Sequence, residues 1–591
     1  MHIKNSLQAS YKGCNRRYDI GEDRGRVVSM AFNNDVGRNG SIAQAAQIPY
    51  PQNGQAVQGW KKLPTQRVRP RRVRRSRVLA CVSILLLILL IFAAIRVSTI
   101  ASGADDAFTI HVGDQQSATL DLRQSIPISP YLRGTNVFPA DHTSSLDRPF
   151  SGFMPYTSLI SSDLHDMNVQ LLRFPGGNWG ETHVLSTDQM SKFSQLLIDT
   201  HAQGMMEAHL SGPVADQLGN PQPDNVTADI NTRANQAGRW VDYMNNHKSD
   251  QRTGAHQNDP FHRVAFWTVG NEPDLLTNPV TRQKYTVAEY VDAFIQFSLA
   301  MHQNDPAIQV LGPELSQFSG VGVGPVDARG HLWMDDFLLG VGNYEKQHPE
   351  LHFHLLDGVS FHSYQFNDAG LAPAMLLSSP DEWNYLLPPL KALIQKDFGR
   401  DIPVGVTEIN TNPTDHVPSR GLASLWWADT LGTLMNQQAG YVAFFSTAGV
   451  NTPYPLFSQD GLHETAMARV MQLFSHLQSN LVPLGIQHEP VSVYATQDST
   501  QQNVSLLFIN KSATPQLAQI TPQNELLSVS PWSELTVSVA GYSMVVITLQ
   551  RNGGASAYSF IAPTTNDPTV PPLNYTVCGN KSDVLANYIP C

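Results

Sequence analysis

The apolar residues between about 126 and 480 alternate between two patterns, which predict eight strand–helix pairs. Short apolar runs bounded by polar residues, glycine or proline predict these buried strands: Tyr131–Phe138, Val169–Phe174, Met205–Leu210, Arg263–Gly270, Ile308–Gly312, Gly358–Tyr364, Ile402–Glu408 and Tyr441–Ser446. Apolar residues at helical spacing predict helices near 156–167, 187–203, 228–247, 286–304, 331–347, 380–398, 419–438 and 463–478. Eight such pairs favour a (β/α)8 TIM barrel over residues 126–480. An open doubly wound sheet would carry a Gly-rich phosphate turn after its first strand, and none is seen there.

The helical period disappears after residue 480, and residues 481–550 are typical of a β-sandwich. The predicted strands there are Val491–Ala495, Val504–Asn510, Leu535–Val539 and Ser543–Leu549. Residues 98–125 form a linker with further strands, around Phe108–Leu122, that would complete the sandwich. Residues 551–591 hold many Pro, Asn, Thr and Gly residues, which predicts a flexible tail. Cys578 and Cys591 either close a loop in this tail or remain unpaired.

The N-terminal region predicts a membrane anchor. Residues 1–77 lack apolar periodicity, which indicates disorder, and they hold 16 Lys and Arg against 4 Asp and Glu. The uncharged apolar run Val78–Ile95 would span roughly 27 Å as a helix, close to the ~30 Å hydrocarbon core. We therefore expect a transmembrane signal anchor at 78–97, with the basic N-terminus cytoplasmic and the rest of the chain, up to residue 591, extracellular. A cleaved signal peptide is the alternative, but the long preceding region favours an uncleaved anchor.

The charge of the remaining chain excludes one class of function. Beyond residue 77 there are 23 Lys and Arg against 46 Asp and Glu, out of totals of 39 and 50. A folded region this acidic is a poor candidate for nucleic-acid binding. For the same reason, we expect a neutral substrate rather than a polyanionic one.

Two glutamates at the ends of predicted strands are the candidate catalytic groups. Glu272 follows the fourth strand and Glu408 ends the seventh. Strand C-termini converge at one mouth of a barrel, so these side chains should meet there. Two facing carboxylates cleave glycosidic bonds, with retention at a separation of about 5–5.5 Å and inversion at about 6.5–9.5 Å. The alternative, a surface salt-bridge role, is more plausible for Glu408 than for Glu272 within Asn-Glu-Pro.

The neighbouring residues suggest separate roles for the two glutamates. Arg173, at the end of the second strand, is placed to hold one carboxylate ionised, and we assign that carboxylate to Glu408 as the nucleophile. Glu272 is then the acid/base, and Asn271 beside it a candidate contact for a sugar 2-hydroxyl. After the second strand, Asn178 is a candidate polar contact and Trp179 a candidate stacking platform. A tight turn with a packed Trp is the alternative for that segment.

These segments carry a family resemblance. Leu172–Asn178, Trp267–Pro273 and Val404–Glu408 resemble the corresponding segments of glycoside hydrolase clan A, most closely those of the arabinofuranosidase-type and heparanase/β-glucuronidase-type families. The resemblance implies a (β/α)8 barrel with a sandwich built from both chain ends. It also implies retaining hydrolysis, with Glu272 as acid/base and Glu408 as nucleophile.

The resemblance implies two further contacts, on the sixth strand. Tyr364 would hydrogen-bond the nucleophile, and His362 would line the substrate pocket, although a satisfied core histidine is an equal alternative. One departure concerns the eighth strand, which reads Phe444-Phe445-Ser446 where many clan members carry a Trp. The floor of the sugar site therefore differs from theirs.

The sequence thus predicts a membrane-anchored retaining glycosidase with a carbohydrate substrate. We expect no metal and no cofactor, because His209, His362 and His463 are scattered along the chain. A catalytically inactive glycan-binding barrel is the main alternative. A third possibility is an adhesion or signalling role through residues 1–77, with the barrel as a passenger. The sequence leaves the oligomeric state open.

Overall fold

The computed structural model describes residues 107–578, except for 114–115, 141–151, 215–227, 366–371, 412–417, 451–453, 485–488, 523–534, 551–553 and 565–569. The predicted segments 1–77 and 78–97 lie outside the described residues, as does Cys591. Within the described part of the chain, no helix has both the length and the apolar character needed to cross a bilayer.

Eight parallel strands close into a barrel, as the sequence predicts. We number them in chain order: β1 (Gly134–Asn136), β2 (Leu171–Phe174), β3 (Gln203–Ala208), β4 (Phe266–Val269), β5 (Gln309–Leu315), β6 (Gly358–Tyr364), β7 (Val404–Asn410) and β8 (Tyr441–Phe444). Each strand pairs with the next one along the chain, and β8 returns to β1. Because β8 closes on β1, no strand of the barrel is left with an unpaired edge.

Helices follow the strands, close to the predicted bounds. They are Ser158–Asp166, Trp179–Thr182, Thr187–Thr200, Ile230–Asn245, Val287–Asn304, Trp333–Gln347, Pro373–Ser378, Trp383–Phe398, Arg420–Asn436 and Ala466–Ser475, with 3-10 turns at Pro130–Leu132, Gly254–His256 and Ser379–Glu382. A capping box begins the helix Val287–Asn304, since the Thr286 side chain accepts from the Glu289 amide and the Glu289 side chain accepts from the Thr286 amide. A cap of this kind determines the residue at which the helix begins, and therefore where the loop from the preceding strand must end.

Two further sheets form the sandwich. One has four strands, Ala107–Val112, Gln116–Asp121, Gln516–Pro522 and Leu535–Val539. The other has seven, Ile126–Pro127, Asn480–Val482, Val491–Gln497, Asn503–Asn510, Ser543–Gln550, Ala555–Ile561 and Asn574–Cys578. Phe108 and Ile110 of the first sheet share a core with Val491 and Val545 of the second. The prediction that strands before the barrel complete the sandwich is therefore confirmed.

The prediction of a flexible tail over 551–591 is wrong for part of that segment. Ala555–Ile561 pairs antiparallel with Ser543–Gln550, and Asn574–Cys578 extends the same sheet. Alternate side chains of Ala555–Ile561 are buried at its start, which is the pattern of a strand with one covered face. The surrounding Pro and Thr residues masked this alternation in the sequence.

A buried polar cluster joins the sandwich to the barrel. Lys511 of the sandwich lies 3.0 Å from a carboxylate oxygen of Asp429, on the helix before β8, and both side chains are buried. The Tyr494 hydroxyl donates to the other oxygen of Asp429 at 2.7 Å. A buried charge is tolerated only when it is paired and hydrogen-bonded, so this cluster fixes how the two parts pack.

Candidate active site

The C-terminal ends of β2, β4, β5, β6 and β7 bring a group of polar side chains together in the barrel mouth. The group consists of Arg173, Asn271, Glu272, Glu314, His362, Tyr364 and Glu408. Six of these seven residues were predicted from the sequence as site residues. Functional groups of TIM barrels occupy this face because every strand presents its C-terminal end there.

The backbone after β4 turns sharply to present Glu272. Gly270 has φ 73° and Glu272 has φ 49°, so both lie in the left-handed region. That region is unfavourable for a residue with a side chain, by roughly 1–2 kcal/mol. The Glu272 amide donates to the Glu314 carbonyl at 2.9 Å, and this bond holds the turn against the end of β5. Backbone strain of this kind concentrates at functional sites.

The two predicted catalytic carboxylates face each other. An oxygen of Glu272 and an oxygen of Glu408 lie within 4.8 Å of one another, with a nitrogen of His362 within the same distance of both. The Glu272 side chain is 14% exposed and that of Glu408 is 3% exposed. The pair is therefore asymmetric, with Glu272 nearer to solvent and Glu408 deeper in the barrel.

Arg173 is the cation that holds Glu408. Its Nη1 donates to Glu408 Oε1 at 2.8 Å and to Asn136 Oδ1 at 2.9 Å, while Nη2 donates to Asn271 Oδ1 at 2.8 Å. Nη2 also lies 2.8 Å from an oxygen of Glu314. Burial alone would lower the pKa of this fully buried guanidinium, but Glu314 and Glu408 outweigh burial and raise it. Arg173 therefore stays charged, and its charge is paired with carboxylates inside the site.

The sixth strand supplies contacts to both catalytic carboxylates. The Tyr364 hydroxyl donates to Glu408 Oε2 at 2.6 Å. His362 Nδ1 lies 3.1 Å from Glu272 Oε1 and 3.6 Å from Glu408 Oε2. Burial would lower the pKa of His362, but Glu408, Glu272 and Glu314 outweigh it and raise the pKa to about 10. His362 is thus a charged member of the site rather than an ordinary core histidine.

Asn271 and Asn178 extend the network towards the opening. Asn271 is fully buried and donates from Nδ2 to Asn178 Oδ1 at 3.0 Å. Asn178 is exposed and precedes the short helix Trp179–Thr182. Asn178 is therefore an accessible amide next to the carboxylate pair, as the sequence predicted for a polar contact.

Trp179 does not serve as the open stacking platform that the sequence suggested. The indole is only 4% exposed, and the His183 ring stacks on one of its faces with centroids 4.6 Å apart. Phe153 packs edge-on against the same indole. The alternative reading of a packed Trp at a tight turn is the one that the structure shows.

The eighth strand contributes a Phe where many members of the clan carry a Trp. The partly buried Phe445 ring packs edge-on against Phe138 at 5.8 Å and against Tyr364 at 6.2 Å. A side chain at Gly177 would meet the same ring at 3.1 Å. The floor of the site beside Tyr364 is therefore aromatic, but the phenyl ring that forms it is smaller than the indole ring of a Trp.

Two buried glutamates near Arg173 escaped the sequence prediction. Glu314 ends β5 and Glu207 lies on β3, and both side chains are inaccessible to solvent. The signal for Glu207 was a charged residue inside the apolar run Met205–Leu210. The signal for Glu314 was a carboxylate two residues beyond the predicted end of the fifth strand, in Gly312-Pro313-Glu314.

Glu272, His362 and Glu408 also form the one described group spaced closely enough to ligate a metal ion. Their donor atoms are already engaged, since Arg173 and Tyr364 occupy the two oxygens of Glu408. The two nitrogens of His362 face Glu272 and Glu314. The arrangement suits proton transfer and nucleophilic attack better than metal binding.

Comparison with known proteins gives the class of this chain. The family model described as Glycoside hydrolase family 44 matches residues 204–366, a stretch that holds Glu272 and His362 but not Glu408. No curated protein matches the chain. The family match and the barrel confirm the predicted resemblance to glycoside hydrolase clan A, and the chain is a glycosidase.

Solved structures with this fold include arabinofuranosidases. The α-L-arabinofuranosidase of Thermotoga maritima is 15% identical, with a TM-score of 0.51 over 75% of this chain and 100% of that one. The GH51 α-L-arabinofuranosidase of Thermotoga petrophila is 14% identical, with a TM-score of 0.52 over 72% and 98%. The family 44 xyloglucanase of Paenibacillus polymyxa is 15% identical, with a TM-score of 0.49 over 72% and 97%. At such identities the first two likenesses establish the fold alone.

Proposed function

We propose that this chain is a retaining glycoside hydrolase, with Glu408 as the nucleophile and Glu272 as the acid/base. The observation that carries the proposal is the approach of the two carboxylates, whose nearest oxygens lie within 4.8 Å. Retaining enzymes keep their carboxyl groups about 5–5.5 Å apart, whereas inverting ones need about 6.5–9.5 Å to admit a water. So close an approach favours the retaining arrangement and supports double displacement.

In the first step, an oxygen of Glu408 attacks the anomeric carbon and the bond to the leaving oxygen breaks. Glu272 gives its proton to that oxygen, so the aglycone departs as a neutral alcohol. The product is a glycosyl ester on Glu408. In the second step, ionised Glu272 takes a proton from a water that attacks the same carbon, and Glu408 is released as a carboxylate. Both groups return to their starting states.

The assignment of roles rests on the surroundings of each carboxylate. Glu408 accepts from Arg173 and Tyr364, and both bonds favour the ionised form that a nucleophile requires. Glu272 is the more exposed of the two and therefore meets the leaving group and the incoming water. His362 Nδ1 donates to Glu272 Oε1, which leaves Oε2 to carry the proton.

The polar groups near the opening suit a neutral sugar. Asn178 and Asn271 present amides beside the carboxylate pair, and amides both donate to and accept from hydroxyl groups. Arg173 is already paired with buried carboxylates, so its charge is not available to bind an acidic substrate. We therefore propose an uncharged glycan as the substrate, with Asn271 as the contact for its 2-hydroxyl.

We further propose that residues 78–97 anchor the enzyme in a membrane, with the N-terminus cytoplasmic and the glycosidase extracellular. The support is the uncharged run Val78–Ile95 and the Arg-rich segment before it. Protease treatment of intact cells should then remove the catalytic part and leave the N-terminal segment. A chain without residues 78–97 should leave the membrane fraction, and an unchanged distribution would contradict the anchor.

A panel of aryl glycosides tests the proposed activity with the full chain in detergent. Release of the aryl group by the parent, together with its loss in Glu272→Gln and Glu408→Gln, supports the hydrolase. Glycan binding should survive both substitutions. An inactive glycan-binding barrel predicts instead that the parent releases nothing and that the two variants bind glycan like the parent.

A further inference from the structure

Glu314 is a buried carboxylate that does not belong to the catalytic pair. It contacts Arg173, which binds Glu408, and His362, which binds Glu272. Its Oε2 lies 2.8 Å from Arg173 Nη2 and 3.4 Å from His362 Nε2. Its Oε1 accepts from the Thr407 hydroxyl at 2.9 Å. Arg173 in turn holds Glu408, and His362 holds Glu272. Glu314 is therefore one contact away from each catalytic carboxylate.

The backbone of Glu314 is tied to the same turn as the acid/base. Glu314 has φ 58°, in the left-handed region, as does Glu272 at φ 49°. The Glu314 carbonyl accepts from the Glu272 amide at 2.9 Å. Two adjacent non-glycine residues in this region cost free energy that surrounding contacts must offset.

Glu314 supplies negative charge to a buried centre that also holds two basic side chains, Arg173 and His362. Arg173 is positive, and His362 becomes so because its pKa is raised to about 10. Burial would raise the pKa of Glu314, but Arg173 and His362 outweigh it and lower the pKa to about 2. Ionised Glu314 thus offsets positive charge in a medium of low dielectric, where an unpaired charge would be costly.

Glu207 provides a contrast within the same centre. Its oxygens have no hydrogen-bond partner among the described contacts, and Oε2 lies 3.7 Å from Arg173 Nη2. Burial raises the pKa of Glu207 well above its usual range, more than Arg173 lowers it. Glu207 and Glu314 both approach Nη2 of Arg173, and of these two only Glu314 is held in its ionised form.

We propose that Glu314 is a positioning residue that aligns both catalytic carboxylates, Glu408 through Arg173 and Glu272 through His362. The proposal rests on the proposed retaining mechanism. Ionised Glu314 accepts the Nε2 proton of His362, so that a second proton on Nδ1 points to Glu272 Oε1. Without that charge, His362 keeps one proton and either nitrogen can hold it. The acid/base then loses its fixed orientation.

The carboxylates of Glu272, Glu314 and Glu408 face His362 directly. Arg173 on β2, Glu207 on β3, Asp274 after β4 and Tyr364 on β6 lie around these three carboxylates. Removing the negative charge of Glu314 disfavours the imidazolium, so the pKa of His362 should fall. Removing Glu207, which is neutral, should leave the pKa of His362 unchanged.

The test is a pH titration of His362 by NMR in the full chain in detergent, with histidine labelled at ring carbon Cε1. The signal is assigned by its loss in His362→Asn. In the parent, His362 should stay protonated from about pH 5 to about pH 9, whereas an ordinary histidine loses its proton within that interval. In Glu314→Gln it should titrate within that interval. Glu207→Gln, the matched control, should titrate like the parent.

Turnover gives the second readout. Glu314→Gln should lower kcat on aryl glycosides by about 100-fold with little change in KM, because misalignment by about an ångström costs this much. Glu314→Asp keeps the charge on a shorter side chain and should recover part of the loss.

The NMR arm separates failure of this proposal from failure of the proposed function, since it needs no substrate. A parent in which His362 is already neutral at pH 8 would overturn the proposal, even if Glu314→Gln did not fold. So would a Glu314→Gln protein with an unchanged His362 titration. An inactive parent whose His362 behaves as expected would count against the glycosidase mechanism alone.

Discussion

Glu408→Gln should reduce kcat on aryl glycosides by roughly 10⁴-fold or more, the scale of losing a catalytic nucleophile. The amide keeps the size of the carboxylate: its oxygen can accept from Arg173, now at 2.8 Å, and its NH2 group can donate to the Tyr364 hydroxyl, now at 2.6 Å. It cannot form the glycosyl ester, so the first step of the proposed reaction stops. Steady-state kinetics, with glycan binding measured by calorimetry, would show lost turnover and retained binding.

A matched control for this change is Asp274→Asn, which removes the charge of a partly buried carboxylate two residues after Glu272. Asp274 accepts from the Ser316 amide and hydroxyl and touches neither Arg173 nor Tyr364 among its described hydrogen bonds. It should retain far more activity than Glu408→Gln. Equal losses in the two variants would mean that burial of charge, and not a nucleophile, explains the effect.

Replacing Glu272 by Ala should have an effect that depends on the leaving group. An aglycone that is a strong acid departs without a proton, so the first step needs Glu272 least for such substrates. We expect kcat/KM to fall by roughly 10³-fold or more for alkyl glycosides and by much less for dinitrophenyl glycosides. The measurement is kcat/KM across aglycones of graded acidity, in parent and variant.

The second step of this variant offers its own check. The glycosyl ester on Glu408 should accumulate, since no base activates the attacking water. Azide needs no base, and the space left by the shorter side chain admits it beside the pair. Added azide should therefore restore turnover and yield a glycosyl azide of the same anomeric configuration as the substrate. Uniform loss across all aglycones, without azide rescue, would exclude Glu272 as the acid/base.

Much of the fold was predictable because the barrel strands are continuous apolar runs that end at Gly, Pro or a polar residue. Phe266–Val269 is buried throughout and stops at Gly270, where the chain must adopt a left-handed conformation. The strands Gln516–Pro522 and Ala555–Ile561 escaped prediction, because each lies in a polar sequence and has only one covered face.

The meeting of Glu272 and Glu408 was predictable for the same reason, since Glu272 follows the apolar strand Phe266–Val269 and Glu408 lies near the end of Val404–Asn410. Glu314 was not predicted, because Pro313 indicated that the fifth strand ended before it. In the structure, β5 continues through Pro313 and Glu314 to Leu315. Glu207 was missed because an inward-facing carboxyl within a strand looks like an interruption of the core. The packing of Trp179 depends on His183 and Phe153, whose positions no local pattern specifies. Distances across the mouth follow from barrel closure, which only the folded chain provides.

The stereochemistry of the first product tests the central claim most directly. Proton NMR would follow hydrolysis of an aryl glycoside that the full chain cleaves, before the released sugar mutarotates. Oxygens within 4.8 Å on Glu272 and Glu408 predict that the new hemiacetal keeps the configuration of the substrate. A first product of inverted configuration would contradict the covalent step on Glu408 and the account built on it.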